Sequence, residues 1–151
     1  MEVEFVDIRA LDSTCKNIAF SQHDVMKGLS LRTPSISCLN VIEHFGLGRY
    51  EDPIDPEGHL RGFRNMVNAL ESGGTFFISF PIGGQDRVDF NAHRVFHPES
   101  ILSRPSAEEL TLTDFAFVDD AGDLHPSTSI EEAVAADISF GCGIYTFTKT
   151  V

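Results

Sequence analysis

The chain has 151 residues, enough for one domain with a real core, and its 42% hydrophobic and 23% charged residues are ordinary for a globular protein. Acidic residues outnumber Lys and Arg by 23 to 11, for a formal charge of −12. Such a surface does not displace counterions from a polyphosphate or settle on an anionic bilayer, so nucleic acid and membrane are not expected partners.

The three cysteines, Cys15, Cys38 and Cys142, are far apart and form no CxxC. They read as reduced thiols in a cytoplasmic setting, with no disulfide framework. The start, MEVEFVDIRA, carries acids where a secretion signal carries bases. No apolar run approaches transmembrane length.

Val3 to Ile8 reads as a first strand, with β-branched and aromatic residues alternating with acids. Asn17 to Ser21 is a second short apolar run, ending at Gln22-His23-Asp24. Lys27 to Pro34 is a loop. Ser35 to Ile42 is the third and most apolar strand, and it breaks into Glu43, His44, Gly46, Gly48, Arg49, Tyr50 and Asp52. A buried strand that ends in ionisable groups is how α/β proteins build sites. After the loop, Leu60, Phe63, Val67 and Leu70 recur at helical spacing, and Gly73-Gly74 reads as the stop. Thr75 to Phe80 is a buried strand closed by Pro81. This strand–helix–strand order is a βαβ unit, whose right-handed crossover makes the two strands parallel.

Beyond it, Ile82 to Phe96 is mixed, and Pro98 to Glu109 reads as a short helix or two turns interrupted by Pro105. Leu110 to Val118 alternates as a strand, and Ser129 to Ala136 reads as a helix capped by Ser129. Ile144 to Lys149 reads as an antiparallel strand at or near an edge.

Several residues carry chemistry. Asp7, at the end of the first strand, suits ribose hydroxyls, and Asp24 with the Val25 N–H suits an adenine edge; ordinary turn acids are the alternative. Glu43-His44 can do acid–base work, but adjacent residues of a strand face opposite ways unless the strand has ended. Arg49 is an anion clamp or a partner for Asp52 or Asp55. Phe90-Asn91-Ala92-His93-Arg94 lies where a pocket of such a fold is closed from above, or else is a structural turn. Gly46-Leu47-Gly48 lacks the third glycine of a dinucleotide fingerprint, and Asp52-Pro53 prevents its helix. The histidines and acids match no recognised metal-ligand spacing, so no metal is expected.

The run NVIEHFGLGRYEDPIDPEGHLRGFRNMVNALESGGTFFISFPIG, followed by RVDFNAHRVF, resembles the family known as domain of unknown function 268. That family looks like a branch of the class I S-adenosylmethionine-dependent methyltransferases. The matching features are Glu43-His44, Gly46 to Pro53 with Glu51 where glycine is usual, Gly73-Gly74 to Pro81, and Phe90 to Arg94. The resemblance implies a Rossmann-like α/β sheet, mostly parallel, with an antiparallel strand near the C-terminus. It implies S-adenosylmethionine as cofactor, with Asp7 at the ribose and Asp24 and Val25 at the adenine. Cys38, Leu39 and Asn40 then line the methionine side. His44 is the candidate base, and Glu43, Arg49, Asn91, His93 and Arg94 surround a small-molecule or glycan-type acceptor. No GxG precedes Asp7, so residues 1–151 read as a single domain lacking the usual first strand. A sheet without that strand exposes backbone edges, and a homo-oligomer is expected to cover them. A non-catalytic binding or assembly module that has lost the cofactor is the alternative.

Overall fold

The computed structural model describes residues 3–11, 14–90 and 92–150. Strand β1 (Val3–Asp7) pairs in parallel with β2 (Ile18–Gln22), Phe5 opposite Phe20, and the two form a sheet of their own. The next strand, β3 (Thr33–Leu39), leads through a loop into helix α1 (Gly58–Ala69) and then β4 (Leu70–Ile82). As the βαβ pattern requires, β3 and β4 are parallel, with Ile36 opposite Phe76 and Leu39 opposite Ser79. A two-stranded hairpin follows, β5 (Arg87–Asp89) with β6 (His93–Val95). The chain ends with β7 (Leu110–Val118), β8 (Leu124–His125), helix α2 (Ile130–Ala135) and β9 (Gly141–Lys149).

The larger sheet has the order β3-β4-β9-β7-β8. It is mixed rather than mostly parallel: β3–β4 is parallel, while β4–β9, β9–β7 and β7–β8 are antiparallel. Strand β9 is not an edge strand. It lies between β4 and β7, antiparallel to both. Tyr145 and Phe147 point into the core from one of its faces and are almost wholly buried.

Two other expectations change at the ends of α1 and β6. The helix stops at Ala69, before the glycines, and Leu70 is already extended and fully buried. Gly73, at φ 75, instead makes an irregularity inside β4, where the register with β3 slips between Thr33 and Ser35. After β6, Pro98 to Glu109 forms turns and a 3-10 segment, Pro105–Glu109, since Pro105 lacks the N–H that a continuing helix needs. The Ser129 cap is as expected: its hydroxyl accepts from the Glu132 N–H, and the Glu132 carboxylate accepts from the Ser129 N–H.

Phenylalanine builds the core. Phe63 of α1 stacks on Phe76 at 5.9 Å, and Phe80 packs against Tyr145 at 4.9 Å and Phe96 at 5.0 Å. The Tyr145 hydroxyl donates to the Pro98 carbonyl at 2.9 Å, which satisfies the one polar atom of a buried ring. Lys149 is also buried, and its ammonium donates to the carbonyls of Val67 and Leu70, at the end of α1. Among the described residues no helix is long and apolar enough to cross a membrane.

Phe76 joins the helix to the sheet, so Phe76→Ala should lower unfolding stability by about 3–5 kcal/mol. Urea denaturation should show this as a lower midpoint with an unchanged slope.

Candidate functional site

A groove of about 1540 Å³ separates the β1–β2 pair from β3. Every residue of β1 and of β3 lines it, together with Asp24, Asn40, His44, Tyr50 and Asp52. Asp7, Asp24 and His44 therefore share one cleft.

Asp7 lies at the carboxyl end of β1, but its carboxylate is occupied. It accepts from the Arg9 N–H at 2.8 Å, from Arg9 Nε at 3.1 Å and from Arg9 Nη2 at 3.0 Å. The bond to the Arg9 side chain holds the carboxyl below its usual range. The same guanidinium lies 5.0 Å from the centre of the Tyr50 ring, so it bridges the end of β1 to the loop beyond β3. Asp24 is 9% exposed. Its Oδ1 accepts from the Met26 N–H and caps a short 3-10 turn, while Oδ2 has no hydrogen-bond partner among the described residues and pairs with the Lys27 ammonium 3.4 Å away. Val25 is fixed through its carbonyl, which accepts from Asn65 of α1.

At the end of β3 the three expected cofactor positions differ. The Cys38 thiol turns into the core, where burial pushes its pKa up to about 12, so only its backbone can face a ligand. Leu39 is 55% exposed. Asn40 has a left-handed φ of 52, its N–H donates to the Ser79 carbonyl, and its amide oxygen accepts from the Cys142 thiol. That left-handed residue ends the strand. The apolar run to Ile42 is thus strand only as far as Leu39, and Ile42–His44 is a 3-10 turn.

Because the strand has ended, Glu43 and His44 face each other. Glu43 Oε1 lies 3.7 Å from His44 Nε2. Glu43 is 3% exposed, Oε2 has no hydrogen-bond partner among the described residues, and burial raises its pKa to about 7. His44 Nδ1 is 3.2 Å from the Ala92 carbonyl, so Nδ1 carries the hydrogen and Nε2 the lone pair. Burial lowers its pKa, with the Ala92 bond opposing. The ring meets Tyr50 edge-on at 5.3 Å and His93 at 6.1 Å.

The β5–β6 hairpin is stapled over this turn. Arg49 Nη1 donates to the same Ala92 carbonyl at 2.8 Å. His93 packs on Phe140 at 5.4 Å, and its Nε2 is buried without a hydrogen-bond partner among the described residues, 3.9 Å from Asp89 Oδ2. Arg94 does not face an acceptor. It is buried, and its N–H groups go to the carbonyls of Glu43, Phe45 and Pro56, so it braces the turn from behind. Burial lowers its pKa. Asn91 lies outside the described residues. Asp52 is engaged by the backbone: its oxygens accept from the N–H groups of Gly46 and Tyr50. Asp55 pairs with Arg61. The loop passes so close to itself that a Cβ at Gly46, whose φ is 76, would run into the Asp55 carbonyl.

Sequence reasoning missed Arg9, the Ala92 carbonyl and Phe140. The Asp7-Ile8-Arg9 spacing is the signal that an Asx-type turn would fold the Arg back on the Asp. A backbone carbonyl gives no signal in sequence.

The family model described as "Caenorhabditis protein of unknown function, DUF268" matches residues 9–102. The chain belongs to the DUF268 family. No curated protein matches it. Among solved structures, a 1,6-didemethyltoxoflavin-N1-methyltransferase of Burkholderia thailandensis, with its substrate and S-adenosylhomocysteine bound, is 16% identical at a TM-score of 0.66, over 99% of this chain and 62% of that one. The N-methyltransferase NodS of Bradyrhizobium japonicum, in complex with S-adenosylhomocysteine, is 14% identical at 0.59, over 98% of this chain and 66% of that one. The 4+2 cyclase SpnF is 17% identical at 0.60, over 89% of this chain and 58% of that one. The DUF268 chain thus has the class I methyltransferase fold and spans less than two thirds of these proteins. A cyclase among them shows that the fold by itself does not fix the reaction.

Glu43 sets a test of the site's electrostatics. Its folded-state pKa, about 7, lies above the ordinary 4.5, so the folded protein holds this proton more tightly than the unfolded chain. Its contribution is therefore present at low pH and is lost as pH rises from about 4.5 through 7. Glu43→Gln, which stays neutral, should match wild type near pH 4.5 and exceed it above pH 7 by on the order of 2–3 kcal/mol. Urea unfolding at pH 5 and pH 8 measures both arms.

Proposed function

We propose that this protein is methyltransferase-like and binds S-adenosylmethionine, or a related nucleoside, in the groove, with an acceptor at its mouth. One observation carries the reading: Asp7, Asp24, the β3 strand end and His44 all border a single cleft. The bound cofactor would supply an electrophilic methyl group.

The residues fit the nucleoside side. Asp24 offers a buried carboxylate oxygen that makes no hydrogen bond among the described residues and has only the exposed Lys27 ammonium near it, which suits the exocyclic amino group of an adenine. Asp7 can take a ribose diol once Arg9 gives way. Leu39 and the Asn40 backbone bound the methionine side. At the mouth, His44 has one lone pair, on Nε2, since Nδ1 is tied to Ala92. It can accept the proton that an acceptor hydroxyl or amine releases, and Glu43 beside it stabilises the resulting imidazolium. The rings of Tyr50 and His93 meet it edge-on and Phe140 packs on His93 beyond, an aromatic surround that suits a small-molecule or glycan-type ring. Rate here depends mostly on alignment, so His44 contributes less than the positioning of the acceptor.

The threefold engagement of Asp7 by Arg9 favours a second reading, a binding or assembly module that no longer takes the cofactor. Calorimetry with S-adenosylmethionine and S-adenosylhomocysteine separates the two. Saturable heat, with affinity reduced about tenfold or more in Asp24→Ala, is expected. A folded sample that gives no heat at millimolar ligand leaves only the second reading.

A further inference from the structure

Arg9 has more donors than Asp7 uses. Asp7 takes the Nε hydrogen and one hydrogen of Nη2, along one edge of the guanidinium. The other edge, made by one N–H of each Nη, has no acceptor among the described residues. Two parallel N–H groups on a planar fork are the geometry that grips two oxygens of a phosphate. The fork is also held still: Asp7 fixes its direction, and the centre of the Tyr50 ring lies 5.0 Å from it. The side chain is nevertheless 49% exposed, so an anion reaches it without moving anything buried.

This fork stands where the sugar of a nucleoside is expected. Asp7 and Gln22 are register partners at the ends of β1 and β2, and Asp24 follows two residues after Gln22. The His23 N–H, between them, donates to the Asp7 carbonyl at 2.9 Å. An adenine held by Asp24 therefore has its ribose, one glycosidic bond away, beside the neighbouring strand end. The acids there are already matched with cations, Asp7 with Arg9 and Asp24 with Lys27. A bare ribose diol has to displace Arg9 from Asp7. A phosphate on that ribose displaces nothing, because it takes the open edge of Arg9 while Asp7 keeps the other. In dinucleotide-binding sheets, too, an arginine near the strand-end acid is what accommodates a ribose phosphate. Glu51 acts on Arg9 from the loop, but it is exposed, where salt and water screen it. The groove, at about 1540 Å³, exceeds the roughly 300–1,000 Å³ of a small-molecule site and has room for the added phosphate.

We infer that the groove prefers an adenine nucleotide whose ribose carries a 2′- or 3′-phosphomonoester, gripped by the open edge of Arg9. The inference rests on the reading that the groove takes a nucleoside, and it adds the charge of that ligand. Such a nucleotide competes with S-adenosylmethionine for the groove.

Calorimetry on the full chain tests this at constant ionic strength. The probes are adenosine 2′,5′-bisphosphate, adenosine 3′,5′-bisphosphate, adenosine 5′-monophosphate, S-adenosylhomocysteine and inorganic phosphate. At least one bisphosphate should bind about tenfold or more tightly than the monophosphate. Arg9→Gln should abolish that preference and leave the monophosphate unchanged. Arg9→Lys, which keeps the charge but not the fork, should restore only part of it. Equal binding of bisphosphates and monophosphate, or a preference that survives in Arg9→Gln, would overturn the inference, while heat from S-adenosylhomocysteine in the same sample would leave the nucleoside reading standing. Inorganic phosphate bound as tightly as the bisphosphates would overturn it as well, since the nucleotide would then add nothing. A folded sample that gives heat with none of the adenine ligands would overturn both.

Discussion

Strand β4 is bonded along both edges, in parallel to β3 and antiparallel to β9, and the remaining architecture follows from that double pairing. Its side chains Phe76, Ile78, Phe80 and Ile82 are all fully buried on one face, while Phe77 on the other is 41% exposed. Helix α1 covers one face through Phe63 and Val67. The start of β9 meets the end of β4, which brings Cys142 opposite Pro81 and close to Asn40. The end of β3, where the candidate site begins, is fixed because β4 holds it: the Asn40 N–H is bound to Ser79.

From that anchor the site is built mainly by backbone groups and by arginines bonded to backbone carbonyls. Arg94 gathers the carbonyls of Glu43, Phe45 and Pro56, which would otherwise be unsatisfied in a buried turn. Arg49 and His44 share the Ala92 carbonyl and so tie the hairpin to the same turn. Among the described residues the imidazole of His44 is the ionisable group paired with Glu43, and burial is what raises the proton affinity of that carboxylate.

Much of the fold was legible in the residues because periodicity reports burial. The βαβ unit, the alternating Leu110–Val118 strand and the Ser129 cap all follow from local patterns that the tertiary structure leaves alone. The misreadings came where a distant partner decides. Ile144–Lys149 alternates as an edge strand would, but its place between β4 and β7 is set by strands far away in sequence. Gly73-Gly74 looks like a helix stop, yet Leu70 leaves the helix sooner because the sheet claims it. In the site, Asp7, Asp24 and His44 were legible as strand-end residues. The inward turn of Arg94 was not, since nothing local distinguishes an arginine that braces three carbonyls from one that awaits an anion.

The chain has no tryptophan and only two tyrosines. One, Tyr145, is sealed in the core with its hydroxyl bound to Pro98, and the other, Tyr50, stands at the groove between Arg9 and His44. Ultraviolet emission from the native protein is therefore the sum of a constant interior fluorophore and a single responsive one. The molecule carries its own optical gauge of what happens at the cleft, with no dye attached.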